Sequence, residues 1–221
     1  LFDNIPKNAN IITGDGTAAV VTFKAAKLTK NQRLYTNKGC ASMGYDLPAL
    51  IGSLYSDQKN QKEHILITGD GSIMMNLQEL SSLRRFNNKN IKIFILNNEG
   101  YHSIRQSQLN YFNGFEVGCG EESNLYMPNF KNISKGFGYN YFKVTSEKSL
   151  HNVLDKMDDT IKIIEVMIDK NQVFEPRVSA TKLPNGKMIS SPLEEMSPLL
   201  SKEDFMKRMI IPIAKNSNYG K

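Results

Sequence analysis

Short apolar runs recur along most of the chain, and segments of helical pattern separate them. Ala9 to Thr13 (ANIIT), His64 to Thr68 (HILIT), Ile91 to Leu96 (IKIFIL) and Ile161 to Ile168 (IKIIEVMI) read as strands of the buried type. Tyr141 to Val144 is a shorter strand and Leu34 to Thr36 a weaker one. Helices are predicted over Leu47 to Tyr55, Met74 to Phe86, Asn129 to Gly136 and Leu150 to Met157, the second with Leu77, Leu80 and Leu83 on roughly one face. Strands alternating with helices imply crossover connections. The expected fold is therefore α/β: a three-layer parallel sheet with helices on both faces, spanning residues 1–173.

From Phe174 onward the pattern breaks. Pro176, Pro184, Pro192 and Pro198 are expected to interrupt any regular element, so residues 174–221 read as an extended C-terminal arm. The arm is expected to close with an amphipathic segment near Phe205 to Ile213 and a frayed polar end from Lys215 to Lys221.

Two strands end in the same tripeptide, giving the turns Gly14-Asp15-Gly16-Thr17 and Gly69-Asp70-Gly71-Ser72. A glycine turn between a strand and a helix exposes backbone N–H groups at the positive end of the helix, which suits a phosphate. The first turn also reads Gly14-x-Gly16-x-x-Ala19, a dinucleotide fingerprint. That reading wants an acid about twenty residues on to hold a ribose, and Arg33 to Lys38 contains none, which argues against NAD. After the second turn, the next strand ends in Asn97-Asn98-Glu99-Gly100. Neighbouring parallel strands end at one edge, so a carboxylate from one tip and an amide oxygen from the other can share a hard cation such as Mg²⁺. Asp70 taken alone reads better as a helix cap. Paired with Asn98 it reads as a metal ligand, while Asn97 reads as a residue that fixes the loop.

These segments, in this order, resemble the Gly-Asp-Gly…Asn-Asn signature of thiamine-diphosphate (ThDP) enzymes. Gly39-Cys40-Ala41-Ser42-Met43-Gly44-Tyr45-Asp46-Leu47-Pro48-Ala49 resembles the segment under the cofactor's pyrimidine in acetolactate synthases and related 2-oxo acid decarboxylases, and Asn98 to Tyr101 with Ile104 to Gln108 resembles the stretch after their metal site. The similarity runs from about Ile11 to about Met196 and implies the diphosphate-binding domain of the ThDP-binding fold. It implies that Asp70, Asn98 and the backbone oxygen of Gly100 ligate Mg²⁺. Gly71 and Ser72 would bind diphosphate oxygens, as would a first loop of Gly16, Thr17 and Ala18. Thr17 stands where acetolactate synthases commonly carry glutamine. The backbone of Ala41 and Met43 would hold the aminopyrimidine, with the Met43 side chain wedged so that the cofactor bends and its internal proton transfer is enforced by proximity.

The resemblance further implies an enzyme that decarboxylates a 2-oxo acid, pyruvate by expectation, and transfers the two-carbon unit to a carbonyl acceptor; a sugar or other aldehyde acceptor is an open alternative. A non-catalytic binding module is the contrasting reading, and the presence of both Asp70 and Asn98 argues against it. No catalytic residue is assigned within this chain. The family's catalytic glutamate lies in a pyrimidine-binding domain, which is missing here along with the central domain where FAD would bind. The chain, opening on Leu1 rather than Met, is read as a piece of something longer. By itself it is expected to be inactive and to bind ThDP weakly. Its expected partners are the 2-oxo acid and a pyrimidine-binding domain of the same protein or of another subunit, in a homodimer or tetramer. The arm around Leu183 to Pro198 resembles a tail that folds over the family's active site, and is expected to be mobile without cofactor.

Composition changes this picture little. At 221 residues, with 40% hydrophobic and 23% charged, the chain suits one domain with a tail. The net charge of +6 is spread as isolated lysines without an aromatic-interleaved basic stripe, so no nucleic-acid partner is expected. Cys40 and Cys119, far apart and without metal spacing, fit a reducing cytoplasm. Asn132-Ile133-Ser134 is a glycosylation triplet with nothing else to suggest secretion, and no apolar stretch is long enough to span a membrane. Met74 and Met75 are expected as core gap-fillers, Glu79 as structural, Cys40 as a packing residue, and His102 as a candidate to face substrate.

Overall fold

A computed structural model describes the chain except for residues 58–61, 87–89, 155–159, 183–184, 216, 218 and 220–221. Two compact units divide it, Leu1–Asn171 and Gln172–Lys221.

Among the described residues the first unit holds six strands: β1 (Asn10–Thr13), β2 (Arg33–Tyr35), β3 (His64–Gly69), β4 (Ile91–Asn97), β5 (Asn140–Val144) and β6 (Ile161–Met167). All neighbours pair in parallel, in the order β2-β1-β3-β4-β6-β5. Its helices are α1 (Thr17–Ala25), α2 (Asp46–Ser56), α3 (Asp70–Ile73), α4 (Leu80–Leu83), α5 (His102–Tyr111), α6 (Phe130–Gly136) and α7 (Glu147–Leu154). Parallel central strands are covered on both faces and so are apolar at nearly every position; β4 is buried along its whole length. Ile91, Ile93 and Ile95 face a cluster with Leu50 of α2, Leu80 of α4 and Phe130 of α6. Phe94 and Leu96 face the opposite cluster, with Ala18 of α1 and Val153 of α7. Two apolar clusters on opposite faces of one sheet make the three-layer architecture that the alternating pattern predicts.

Departures from the sequence reading have identifiable causes. The helix predicted over Met74 to Phe86 is broken. α3 begins earlier, at Asp70; a 3₁₀ segment, Met74–Glu79, follows, and Asn76 leaves helical geometry at φ −137° and ψ 37°. The Asn76 amide donates to the Gly44 carbonyl at 2.8 Å, so a tertiary contact interrupts the helical ladder. Helices α1 and α5 had no periodic signal. The first is apolar almost throughout, and α5 is mostly polar with only His102 and Arg105 buried. The predicted end of α7 lies outside the described residues.

Within the second unit, β7 (Arg177–Val178) pairs antiparallel with β10 (Met196–Ser197), and β8 (Ala180–Lys182) with β9 (Met188–Ser190). These strands are short enough to fit between the prolines that were expected to exclude regular structure. Helix α8 (Lys202–Arg208) is capped by the Ser201 hydroxyl, which accepts from Asp204 N at 3.1 Å. It ends at Arg208 rather than near Ile213, with Met209 already extended. Among the described residues near the end of the chain, Tyr219 stacks on Phe205 at 4.2 Å, and the buried Ser217 donates to Glu195. Among the described residues no helix is long and apolar enough to cross a membrane.

Candidate cofactor site

The strand order reverses between β1 and β3. From there the connections run outward in opposite directions, opening a crevice at the C-terminal strand edge. Three turns converge on it: Gly14 to Thr17 after β1, Gly69 to Ser72 after β3, and Asn97 to Gly100 after β4. The crevice forms a cavity of about 240 Å³. Against the first of these turns lies Asp46, fully buried in the first turn of α2. That carboxylate accepts from Leu47 N at 3.2 Å and from the Thr68 hydroxyl. It runs so close beneath the first turn that a Cβ on Gly14 would lie 2.5 Å from Asp46 Oδ2.

The pairing Gly69↔Leu96 brings the tips of β3 and β4 side by side. Asp70, only 2% exposed, accepts from Gly71 N at 2.8 Å and from Gly100 N at 2.9 Å. Burial pushes its carboxyl up to about 6, against the lowering effect of the backbone N–H groups of Gly100, Gly71, Asn98 and Glu99. Asn98 donates from Nδ2 to Thr17 Oγ1 at 3.4 Å. Its Oδ1 is buried and, among the described residues, accepts no hydrogen bond. A buried acceptor without a donor is costly, and here it stands at the rim shared with a buried carboxylate. Together they are oxygen ligands of the kind a hard divalent cation takes. The Gly100 carbonyl accepts from His102 N at 3.2 Å and keeps a second lone pair.

Arg105 of α5, 4% exposed, holds this loop from behind. One guanidinium nitrogen donates to the carbonyls of Asn98 (3.3 Å) and Lys170 (3.2 Å), the other to those of Glu99 (2.8 Å) and Cys119 (3.3 Å). Gly100 sits at φ +133°, and a Cβ there would lie 2.2 Å from the Cys119 carbonyl oxygen. Gly100→Ala is therefore expected to displace the loop, at a cost of roughly 1–3 kcal/mol from backbone strain alone. Chemical denaturation together with cation-binding titration checks this; wild-type behaviour in both would contradict it. Cys119 is buried, and burial raises its thiol pKa, so it is not poised as a nucleophile.

Of the residues singled out from sequence, Gly16, Thr17, Met43, Asp70, Gly71, Ser72, Asn98 and Gly100 line this one cavity. Ala18 does not; it is buried in the apolar cluster beneath α1. Ala41 also lies outside the lining. Its N–H donates to Asn37 O at 2.9 Å, and its φ is +51°. Met43 is 42% exposed at the cavity. Met74 and Met75, expected to fill the core, are exposed instead. The loop carrying Met43 is tied to the phosphate-type turn, Gly44 N donating to Ser72 Oγ at 3.1 Å. His102 lines the cavity and is buried. Asp15, Tyr101, Ser103 and Ile104 line it too; the first, second and fourth stand in the motifs read from the sequence but were given no role there, and Ser103 was not singled out. Tyr101 takes the space a Cβ on Gly71 would need, 2.3 Å from its ring, which explains the glycine. The Asn-Asn-Glu-Gly-Tyr run was the available signal for Tyr101. Nothing periodic in α5 pointed to Ser103 or Ile104.

A family model described as "Thiamine pyrophosphate enzyme, C-terminal TPP binding domain" matches residues 13–166. The chain belongs to this family. The segment matched starts at the end of β1 and closes in β6, so it contains all three turns of the crevice. The chain is also 29% identical over 178 residues to the acetolactate synthase isozyme 1 large subunit of Escherichia coli, covering 79% of this chain and 30% of that protein. Identity to the acetolactate synthase large subunit of Buchnera aphidicola from Acyrthosiphon pisum is 31% over 181 residues, covering 78% and 30%. To that of Lactococcus lactis it is 31% over 153 residues, covering 68% and 26%. The chain thus spans about 30% of the length of the first two relatives.

Proposed function

We propose that this TPP-binding domain grips the diphosphate of ThDP through Mg²⁺, in an enzyme that decarboxylates a 2-oxo acid, pyruvate by preference, and passes the two-carbon unit to a carbonyl acceptor. The observation that carries the reading is the buried, donor-less Oδ1 of Asn98 beside the buried carboxylate of Asp70 on the adjacent strand tip. Those two oxygens and the Gly100 carbonyl would ligate Mg²⁺, leaving its other positions to phosphate oxygens and water. Gly16, Thr17, Gly71 and Ser72, which line the cavity, would hold the diphosphate. Ala41 and Met43 would hold the aminopyrimidine, with the Met43 side chain as the wedge. When bound, ThDP supplies the electron sink for decarboxylation.

The cavity of about 240 Å³ is below the roughly 300–1,000 Å³ of pockets that enclose a whole ligand. This supports a site completed by a pyrimidine-binding domain, from the same protein or another subunit of a dimer or tetramer, which would bring the catalytic glutamate. The acetolactate synthase relatives favour pyruvate as donor.

The test is thermal unfolding of the intact protein with ThDP and Mg²⁺ together, with each alone, and with NAD. Ligand at a hundred times its Kd stabilises by about 2.7 kcal/mol, which raises Tm by roughly 5–10 °C in a domain of this size. That shift is expected only for ThDP with Mg²⁺. A shift with NAD, or none with ThDP and Mg²⁺, would overturn the reading.

A further inference from the structure

Strand β6 carries an oddity. Ile161, Ile163 and Glu165 share the face that packs on α2, α4 and α6, and Glu165 is only 7% exposed. A buried carboxylate costs several kcal/mol unless hydrogen-bonded, and an isoleucine there would continue the core. Both oxygens are in use. Oε1 accepts from Asn97 Nδ2 at 2.6 Å, and Oε2 accepts from the Tyr141 hydroxyl of β5. Burial, and then Glu165 itself, holds the Tyr141 hydroxyl well above the usual phenol range, so it remains a donor.

The consequence falls on Asn97. A side-chain amide can turn either its oxygen or its nitrogen toward a neighbour, but a carboxylate can only accept. Glu165 therefore fixes Nδ2 toward itself and Oδ1 toward Glu99, whose N–H donates to it at 3.0 Å. That bond closes the tight turn in which Glu99 adopts φ +61°. The same turn carries Asn98 and places Gly100 N on Asp70.

Resting on the function proposed above, we infer that Glu165 is a positioning residue for the cation loop, acting through the Asn97 amide and held in place by Tyr141. It touches neither cofactor nor substrate. Its task is to keep the Asn98 side-chain oxygen and the Gly100 backbone aimed at the ion.

Glu165→Leu removes the acceptor at similar volume. Glu165→Gln keeps one acceptor for Asn97 and offers an N–H to the Tyr141 oxygen. In the intact protein, Glu165→Leu is expected to weaken Mg²⁺-dependent ThDP binding, measured by calorimetry, about tenfold or more, as loss of an outer partner does at metal sites. It is also expected to speed amide exchange at Glu99. Glu165→Gln should restore most of both. Wild-type affinity in Glu165→Leu would overturn the inference while leaving the cofactor reading intact. Failure of the wild-type protein to take up ThDP with Mg²⁺ would overturn both. Should the leucine variant not fold, Asn97→Ala carries the same test: it must weaken binding about tenfold, and unchanged affinity overturns the inference.

Discussion

Asp70→Asn is expected to cut Mg²⁺-dependent ThDP binding by roughly a hundredfold or more, about 3 kcal/mol, while leaving the cofactor-free fold close to wild-type stability at pH 7. The two effects have one cause. Asp70 is buried, and chiefly because burial disfavours its charged form, its carboxyl is raised from 3.8 to about 6. Among the described residues no cationic side chain pairs with it. Without a cation its charge is a liability. A carboxyl that binds its proton more tightly in the folded than in the unfolded chain makes stability fall as pH rises between the two pKa values, here from about 4 to about 6. Its favourable contribution is complete below the lower value and gone above the higher one. Two pH units correspond to roughly 2–3 kcal/mol. Asparagine removes that penalty, but it offers one acceptor where Asp70 takes two backbone N–H groups, from Gly71 and Gly100. The orphaned N–H costs about 1–3 kcal/mol, so gain and loss nearly cancel at neutral pH. They do not cancel in their pH dependence. Unfolding titrations from pH 4 to 7 without Mg²⁺ should show wild type losing stability relative to Asp70→Asn. Parallel curves would mean that the carboxylate is not strained by burial.

Much of this was legible in the sequence, for a physical reason. The strands are contiguous apolar runs, and the turns that follow them are contiguous too. One pass along the chain therefore locates both, and parallel pairing delivers Asp70 and Asn98 to neighbouring tips. What escaped the sequence reading was made by contacts between distant segments. Glu165 meets its partners 24 and 68 positions away, and Asp46 meets Thr68 22 positions away. Each is a single polar residue in an ordinary-looking segment. The break in the helix after Asp70 comes from Gly44, 32 positions before Asn76. Helices α1 and α5 escaped for a different reason. Periodicity reports a helix whose buried face is apolar and whose wet face is polar, and neither follows that rule: α1 buries Thr17 and Thr22 while Val20 and Phe23 are exposed, and α5 buries His102 and Arg105.

Arg105 shows how much of the loop's shape rests on one such residue, and Arg105→Met is expected to destabilise the first unit by about 3 kcal/mol. Methionine fills much of the space but donates nothing. Four carbonyls, from Asn98, Glu99, Cys119 and Lys170, would each lose a hydrogen bond. That of Cys119 keeps another donor near the loop, Tyr101 N at 2.9 Å. The side chain is 5% exposed, so water does not replace the guanidinium without opening the structure. Charge adds to the loss, because Glu116, 3.9 Å from Arg105 Nε, would keep its carboxylate beside the buried Cys119 without its cation. Lysine should recover little: a point ammonium with three donors does not reproduce a planar fork that serves four carbonyls. Chemical denaturation gives the stability and amide exchange at Glu99 and Gly100 gives the loop order; both should fall together in Arg105→Met. A variant that kept wild-type stability would show that the carbonyls find other donors. A variant that lost stability but kept its loop protected would show that Glu165 and Asn97 hold the Asn97 to Gly100 loop without help from α5.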